Sequence, residues 1–254
     1  MKIYIAYLKR IITSPLLYVS ILGVFAICCF GMSSQSDHPG GVIFMYDVML
    51  DISSYRKLMM LFATLPFGAV YCREWNEKTA NYIICRSSVT KHLSAYILFQ
   101  FITAFLVTFI GILLSVAAFC IDGTLFISNP NAYTDAFGQL MNEKYVLLYL
   151  LFRTYHYSFS IAVWALSGIA MSSVFLNPYI AICSPLVFSY VLEMITIENS
   201  FMPDLWHLSL SYTEVSTNPF IASAFITIIF SVLGMIFGAF FWNLAKRRVQ
   251  NVIS

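Results

Sequence analysis

The chain is a succession of long apolar stretches separated by short polar ones. Mostly apolar residues fill positions 16–32, 58–72, 93–121, 145–171, 179–197 and 220–244. A helix that crosses a bilayer needs about 20 such residues, within a working range of roughly 17–25. Six transmembrane helices are therefore predicted. The second is short, so Arg56 and Lys57 are expected to snorkel outward from its first turn. The third is longer than a perpendicular crossing needs, which predicts a tilt or an extension into water. The fourth carries Arg153 and His156 and has a variant reading, with residues 145–157 on the outer interface and the span at 158–175. No stretch alternates with the period of two that marks a membrane barrel strand, so the fold class is all-α.

The connecting pieces have patterns of their own. Residues 1–15 interleave Ile3, Ile5, Leu8, Ile11 and Ile12 with Lys2, Lys9 and Arg10, and end at Ser14-Pro15. That predicts a basic amphipathic helix lying in the interface, followed by a proline that turns the chain into the membrane. Loops are expected at 33–57, 122–144 and 198–219, punctuated by Pro39-Gly40-Gly41, Asn129-Pro130 and Pro203. Trp206 and its apolar neighbours make the last of these a segment that dips back to the interface. The link at 172–178 is very short. With no internal repeat, residues 1–254 read as one transmembrane domain.

Composition closes the alternatives. Sixty per cent of the 254 residues are AVILMFWYC and 10% are charged, against roughly 45–50% and about 25% in soluble domains. The mean hydropathy is +0.80. Such a surface needs lipid as its solvent, which excludes soluble, disordered and nucleic-acid-binding classes. The net charge of +2 is uninformative, but its distribution sets the orientation. Lys2, Lys9, Arg10, Arg73, Lys78, Arg86, Lys91, Lys246, Arg247 and Arg248 fall on one side of the predicted bundle. Arg56, Lys57 and Lys144 fall on the other. Lys and Arg stay inside, so both termini are expected in the cytoplasm of a multi-pass plasma-membrane protein. The first apolar stretch is long for a signal-peptide core and reads as a retained span. Cys28, Cys29, Cys72, Cys85, Cys120 and Cys183 are scattered and read as small packing residues.

The sizeable inner loop, residues 73–92, reads REWNEKTANYIICRSSVTKH. Its charges flank an apolar ridge at Tyr82, Ile83 and Ile84. Two readings fit this pattern, a docking element for another protein and a solvated linker. The loop resembles that of the ABC-2 type permeases, the membrane subunits of bacterial ATP-binding-cassette exporters. Arg73-Glu74, Thr79, Ile83-Ile84, Arg86-Ser87 and Lys91 stand where that family carries Arg-Glu, Gly-Thr, an aliphatic pair, Arg/Ser-Pro and a basic residue. Lys78 departs from the family's Gly, and Ser88 from its Pro. The number of spans and the amphipathic opening extend the resemblance along nearly the whole chain. It implies a coupling helix held in a groove of a separate ATPase subunit, through Glu74, Trp75, Glu77, Lys78, Thr79, Tyr82, Ile83, Ile84 and Arg86. It also implies pairing with a second copy or a sister permease, and outward movement of a hydrophobic or peptide-like substrate. With no GxxxxGK[ST] cradle for phosphates, the chain is not expected to be an enzyme or to hold a cofactor itself. ATP and Mg would sit on the partner.

Polar residues and helix breakers inside the spans are the remaining candidates. Arg153 and His156, three apart, are expected on one helix face. They contact substrate, or Arg153 snorkels or pairs with Glu143 or Glu193. Pro66 and Pro185 should kink their helices and complete a candidate cavity with them. Gly234 and Gly238 form a GxxxG pair for close helix packing, within one subunit or at a dimer seam. The four His lie more than fifty residues apart, with no HExxH or GxSxG, so no metal or catalytic centre is indicated. Two rival functions remain open, a secondary transporter and a non-transporting membrane assembly or sensor protein. Secondary transporters tend to place carboxylates at the midplane. Here all twelve acids are expected at span ends or in loops.

Overall fold

Every regular element among the described residues is an α-helix. The computed structural model describes residues 2–34, 41–51, 57–79, 88–123, 137–142, 145–197, 205 and 218–253. In chain order the helices are α1 (Lys2–Ile12), α2 (Pro15–Ser33), α3 (Gly41–Asp51), α4 (Leu58–Thr64) and α5 (Val70–Asn76). They continue with α6 (Val89–Asp122), α7 (Gly138–Asn142), α8 (Val146–Val174), α9 (Pro178–Ile197) and α10 (Pro219–Ile253). Five of them, α2, α6, α8, α9 and α10, are long and apolar enough to cross a membrane. At 1.5 Å per residue the 34 residues of α6 and the 35 of α10 each run to about 50 Å, well beyond a hydrocarbon core of about 30 Å. The extension predicted for the third stretch is therefore present. The sixth stretch also runs on past residue 244, carrying Lys246, Arg247 and Arg248 on helix.

The second predicted span is not one helix. It divides into α4 and α5, each of seven residues. Pro66 has no N–H to give, and the chain tightens there: Leu65 N donates to Phe62 O at 3.3 Å and Val70 N to Phe67 O at 2.9 Å. These are i→i−3 bonds in place of the α ladder. Lys57 corrects a second expectation. It does not snorkel outward but is 4% exposed.

The loop expected at 33–57 is corrected too. It contains α3, most of whose side chains are buried, because Val42, Ile43, Tyr46, Met49 and Leu50 join the main apolar cluster. The loop expected at 122–144 likewise packs Phe137, Leu140 and Met141 against that cluster.

α8 is the central helix and a continuous one, so the variant with residues 145–157 as a separate interfacial helix does not hold. Its apolar window is 83% buried, against 22–39% for the other four. Sequence makes it so. α8 is rich in Ser, Ala and Gly, and its hydroxyls return to its own backbone. Ser160 donates to Tyr157 O at 2.8 Å, Ser167 to Trp164 O at 2.7 Å and Ser172 to Ile169 O at 2.6 Å. These three hydroxyls are thus satisfied without water. Small side chains then admit neighbours closely. A Cβ on Gly168 would lie 2.4 Å from Ala181 O and 3.2 Å from Pro185 Cγ on α9. Pro185 cannot donate to Ala181 O, its i−4 carbonyl, and that oxygen presses on the bare Cα of Gly168.

Two apolar clusters divide the bundle along its length. The larger includes Cys28, Tyr46, Met59, Tyr149, Trp164 and Phe230. The smaller gathers Tyr7, Phe67, Tyr71, Tyr96, Ile169 and Phe241. α4 belongs to the first and α5 packs in the second, so the interrupted segment passes from one to the other. α1 and the late turns of α10 meet in the second cluster.

Candidate functional site

Glu74 sits at the centre of the second cluster, 2% exposed. Two other helices converge on its carboxylate. From α1, Arg10 Nη1 donates to Oε1 at 2.5 Å and the Tyr7 hydroxyl donates to Oε2 at 3.0 Å. From α6, the Tyr96 hydroxyl makes a short bond to Oε2. His92 Nδ1 lies 3.3 Å from the Tyr7 hydroxyl and its Nε2 is 3.9 Å from Oε2. Burial, reinforced by the Glu74 charge, pushes the Tyr7 hydroxyl well above the usual phenol range, so it remains a donor at any physiological pH. Bonds to an ionised acceptor are the stronger kind. Rings close the site around them. Tyr7 meets Phe67 edge-on at 5.7 Å, Tyr71 meets Tyr96 at 5.3 Å and Phe241 at 5.2 Å. The arrangement ties α1, α5 and the start of α6 into one body.

The remaining coupling candidates divide by exposure. Arg73, Asn76, Glu77 and Lys78 are exposed, whereas Trp75 and Thr79 are half-buried. Glu74 thus points into the bundle and not toward a partner. Its backbone is also held, since the Thr79 hydroxyl donates to Glu74 O at 3.2 Å. α5 ends at Asn76, and just beyond its Glu77 cap Lys78 has a left-handed φ of 57°. Its N–H donates to Trp75 O at 3.1 Å. A glycine usually takes this helix-ending position. It is also the position where the ABC-2 pattern carries Gly. Tyr82, Ile83, Ile84 and Arg86 lie outside the described residues.

The four candidate cavity residues do not share a cavity. Arg153 reaches α3, with Nη2 2.5 Å from Asp51 Oδ1 and Nη1 3.1 Å from Asp47 Oδ1, and its Nη1 also donates to the Tyr149 hydroxyl at 2.6 Å. Glu193 pairs with Lys57, and Glu143 lies outside the described residues. His156 turns elsewhere. It stacks on Phe137 at 5.4 Å, and its Nε2 lies 2.9 Å from Ser223 Oγ on α10. Pro66 borders a recess near α1, and Pro185 packs at the α8–α9 contact. Gly234 and Gly238 are not where backbones crowd. Cβ atoms there would meet ordinary contacts at 3.5 Å or more, and both line an apolar trough between α6, α8 and α10.

Sequence reasoning missed a second charged set at the far end of the bundle. Lys57 Nζ donates to Glu193 Oε2 at 2.7 Å and lies 3.4 Å from the centre of the Tyr190 ring. This pair joins the start of α4 to α9, as Arg153 with Asp47 and Asp51 joins α8 to α3. A signal was present, since Asp47 and Asp51 are four apart within an apolar run, as one helix face requires. The partners of Glu74 were legible in the same way. Tyr7 stands between Ile3 and Ile11 at spacings of four, and His92 and Tyr96 are also four apart.

No family model, curated protein or solved structure matches this chain. Its class is that of an all-helical protein whose five long apolar helices fit a multi-pass membrane protein.

Proposed function

We propose that this chain is the membrane subunit of an ATP-driven exporter of the ABC-2 type, moving a hydrophobic or peptide-like substrate outward. The observation that carries the reading is the Glu74 tie. A force applied to the exposed edge of Arg73, Asn76, Glu77 and Lys78 reaches α1 and α6 through a single buried carboxylate. A coupling element needs that property, and a solvated linker does not. The left-handed backbone at Lys78 adds support, because it gives the family's Gly-Thr step a physical reason. In this reading α4 and α5 together make an interrupted second crossing, six in all. Both termini then lie in the cytoplasm, and the membrane is the plasma membrane of a bacterium. A separate subunit binds ATP and Mg, and a second copy or sister permease completes the pathway. A photo-crosslinker at position 77 should capture a nucleotide hydrolase in native membranes. The pair Glu77→Lys and Lys78→Glu should cut substrate-stimulated ATP hydrolysis about tenfold while the chain still inserts. Unchanged hydrolysis would discard the assignment.

One observation favours a second reading, an ion-coupled secondary transporter. Asp47, Asp51 and Glu193 sit in helices with buried or half-buried side chains, paired with Arg153 and Lys57. Buried paired charges of this kind mark ion pathways in such proteins. Efflux from vesicles that follows an ion gradient in the absence of ATP would select it.

A further inference from the structure

At the junction of α1 with α2, a recess opens beside the interruption between α4 and α5. Its volume is about 50 Å³, room for a phosphate group and little more. Pro66, Phe67 and Val70 form its apolar wall, Ser14 and the first turn of α2 another, and Arg10 and Arg73 lie at its edge. Both guanidinium groups have capacity to spare. Arg10 uses Nη1 on Glu74, and neither its other nitrogens nor any nitrogen of Arg73 has a hydrogen bond or ion pair among the described residues. Arg73 is exposed, and the Arg10 side chain is 45% exposed. The Ser14 hydroxyl does not cap α2, although a serine before a helix ordinarily does.

Location decides what fits. α1 turns Ile5, Leu8 and Ile12 outward, 47–56% exposed, as a helix floating at headgroup depth would. Two arginines and apolar side chains lining one small recess match the phosphate end of a lipid whose acyl chains stay in the bilayer. Guanidinium groups grip phosphate oxygens in a planar, two-bond geometry, and the positive end of α2 lies alongside. Basic pockets between membrane helices bind anionic headgroups by this chemistry.

We infer that the recess between α1, α2 and the α4–α5 interruption is a binding site for one anionic phospholipid, with its phosphate held by Arg10 and Arg73. The inference rests on the chain lying in a bilayer and not on any ATPase partner, so it is tested on the isolated chain. Native mass spectrometry of the full chain in detergent measures retention of phosphatidylglycerol against phosphatidylcholine. The wild type should retain phosphatidylglycerol in preference. Arg73→Gln should weaken that retention about fivefold, the effect of one basic residue near a headgroup. Ala69→Leu fills the recess without changing charge and should weaken it as well, which guards against a folding defect in the arginine variant. Arg247→Gln removes an exposed cation that does not line the recess and should change nothing. Equal retention of the two lipids by the wild type would overturn the site. Equal losses in Arg73→Gln and Arg247→Gln would assign the effect to the general charge of that end and overturn it too. Displacement by millimolar inorganic phosphate would give the recess to a free anion.

Discussion

Lys78 shows how a departure from a sequence pattern can be read physically. The left-handed φ of 57° costs a residue with a Cβ roughly 1–2 kcal/mol, and glycine almost nothing. Glycine also loosens the unfolded chain, which takes back part of the gain. Lys78→Gly should therefore raise stability by about 0.5–1 kcal/mol, seen as a higher unfolding temperature in detergent. Lys78→Val should lower it. If glycine lowers the unfolding temperature, the backbone there is not left-handed. Tyr96 allows a sharper measurement, because its ring is held by Tyr71, Phe67 and Phe241. Tyr96→Phe removes one oxygen and one bond to Glu74. Hydrogen bonds to charged groups contribute about 1.5–3 kcal/mol, so a loss in that range is expected. Hydrogen exchange at the α1 amides should rise with it, because α1 loses rigidity when the shared carboxylate does. Loss of stability without faster exchange in α1 would mean that the tie does not carry α1.

At the scale of elements, hydrophobic length told most of the story and breaks told the rest. Five of six predicted stretches are single helices, four of them within a few residues of their expected ends and the sixth running nine residues past its own, because a run of apolar residues in lipid has no other way to satisfy its backbone. The misread cases have specific causes. Residues 58–72 carry enough apolar side chains for a span, but Pro66 removes a donor in the middle. Residues 41–51 look like a loop when hydropathy is summed over twenty positions, since Asp47 and Asp51 dilute it. Their charges are met by Arg153 instead of water, and nothing local in the sequence announces that pairing. GxxxG was misleading for a third reason. Spacing locates small residues but not the helix they meet, and the tight approach is at Gly168, which has no glycine four residues away. Gly168→Ala should cost about 1–3 kcal/mol through overpacking against Ala181 O. Gly234→Ala, with 3.5 Å of clearance, should be neutral in an isolated subunit. A drop in stability for Gly234→Ala that depends on protein concentration would place that face at a dimer seam.

The whole molecule joins helices by charge at both ends and by apolar packing between. At one end a single carboxylate gathers two phenols and an arginine. At the other, two cations hold three carboxylates, and those contacts span residues 47 to 193. The two ends differ in what a mutation should reveal. Lys57 and Glu193 are both about 95% buried as side chains, so removing one deprives the other of its ion pair in a medium that solvates charge poorly. Such breaks typically cost about 3–5 kcal/mol, whereas replacing both ions by apolar residues of similar size is often neutral. Lys57→Met and Glu193→Met should each lower the unfolding temperature strongly, and the double variant should recover most of the loss. Transport by the double variant then separates structure from mechanism. If the pair only packs α4 against α9, the recovered protein transports normally. If the pair must part and re-form as the far end opens, stability returns while transport does not, because Met–Met packing has no water-exposed state of comparable energy. Additive losses in the two single variants would contradict the pairing itself, since groups that touch one another cannot be removed independently.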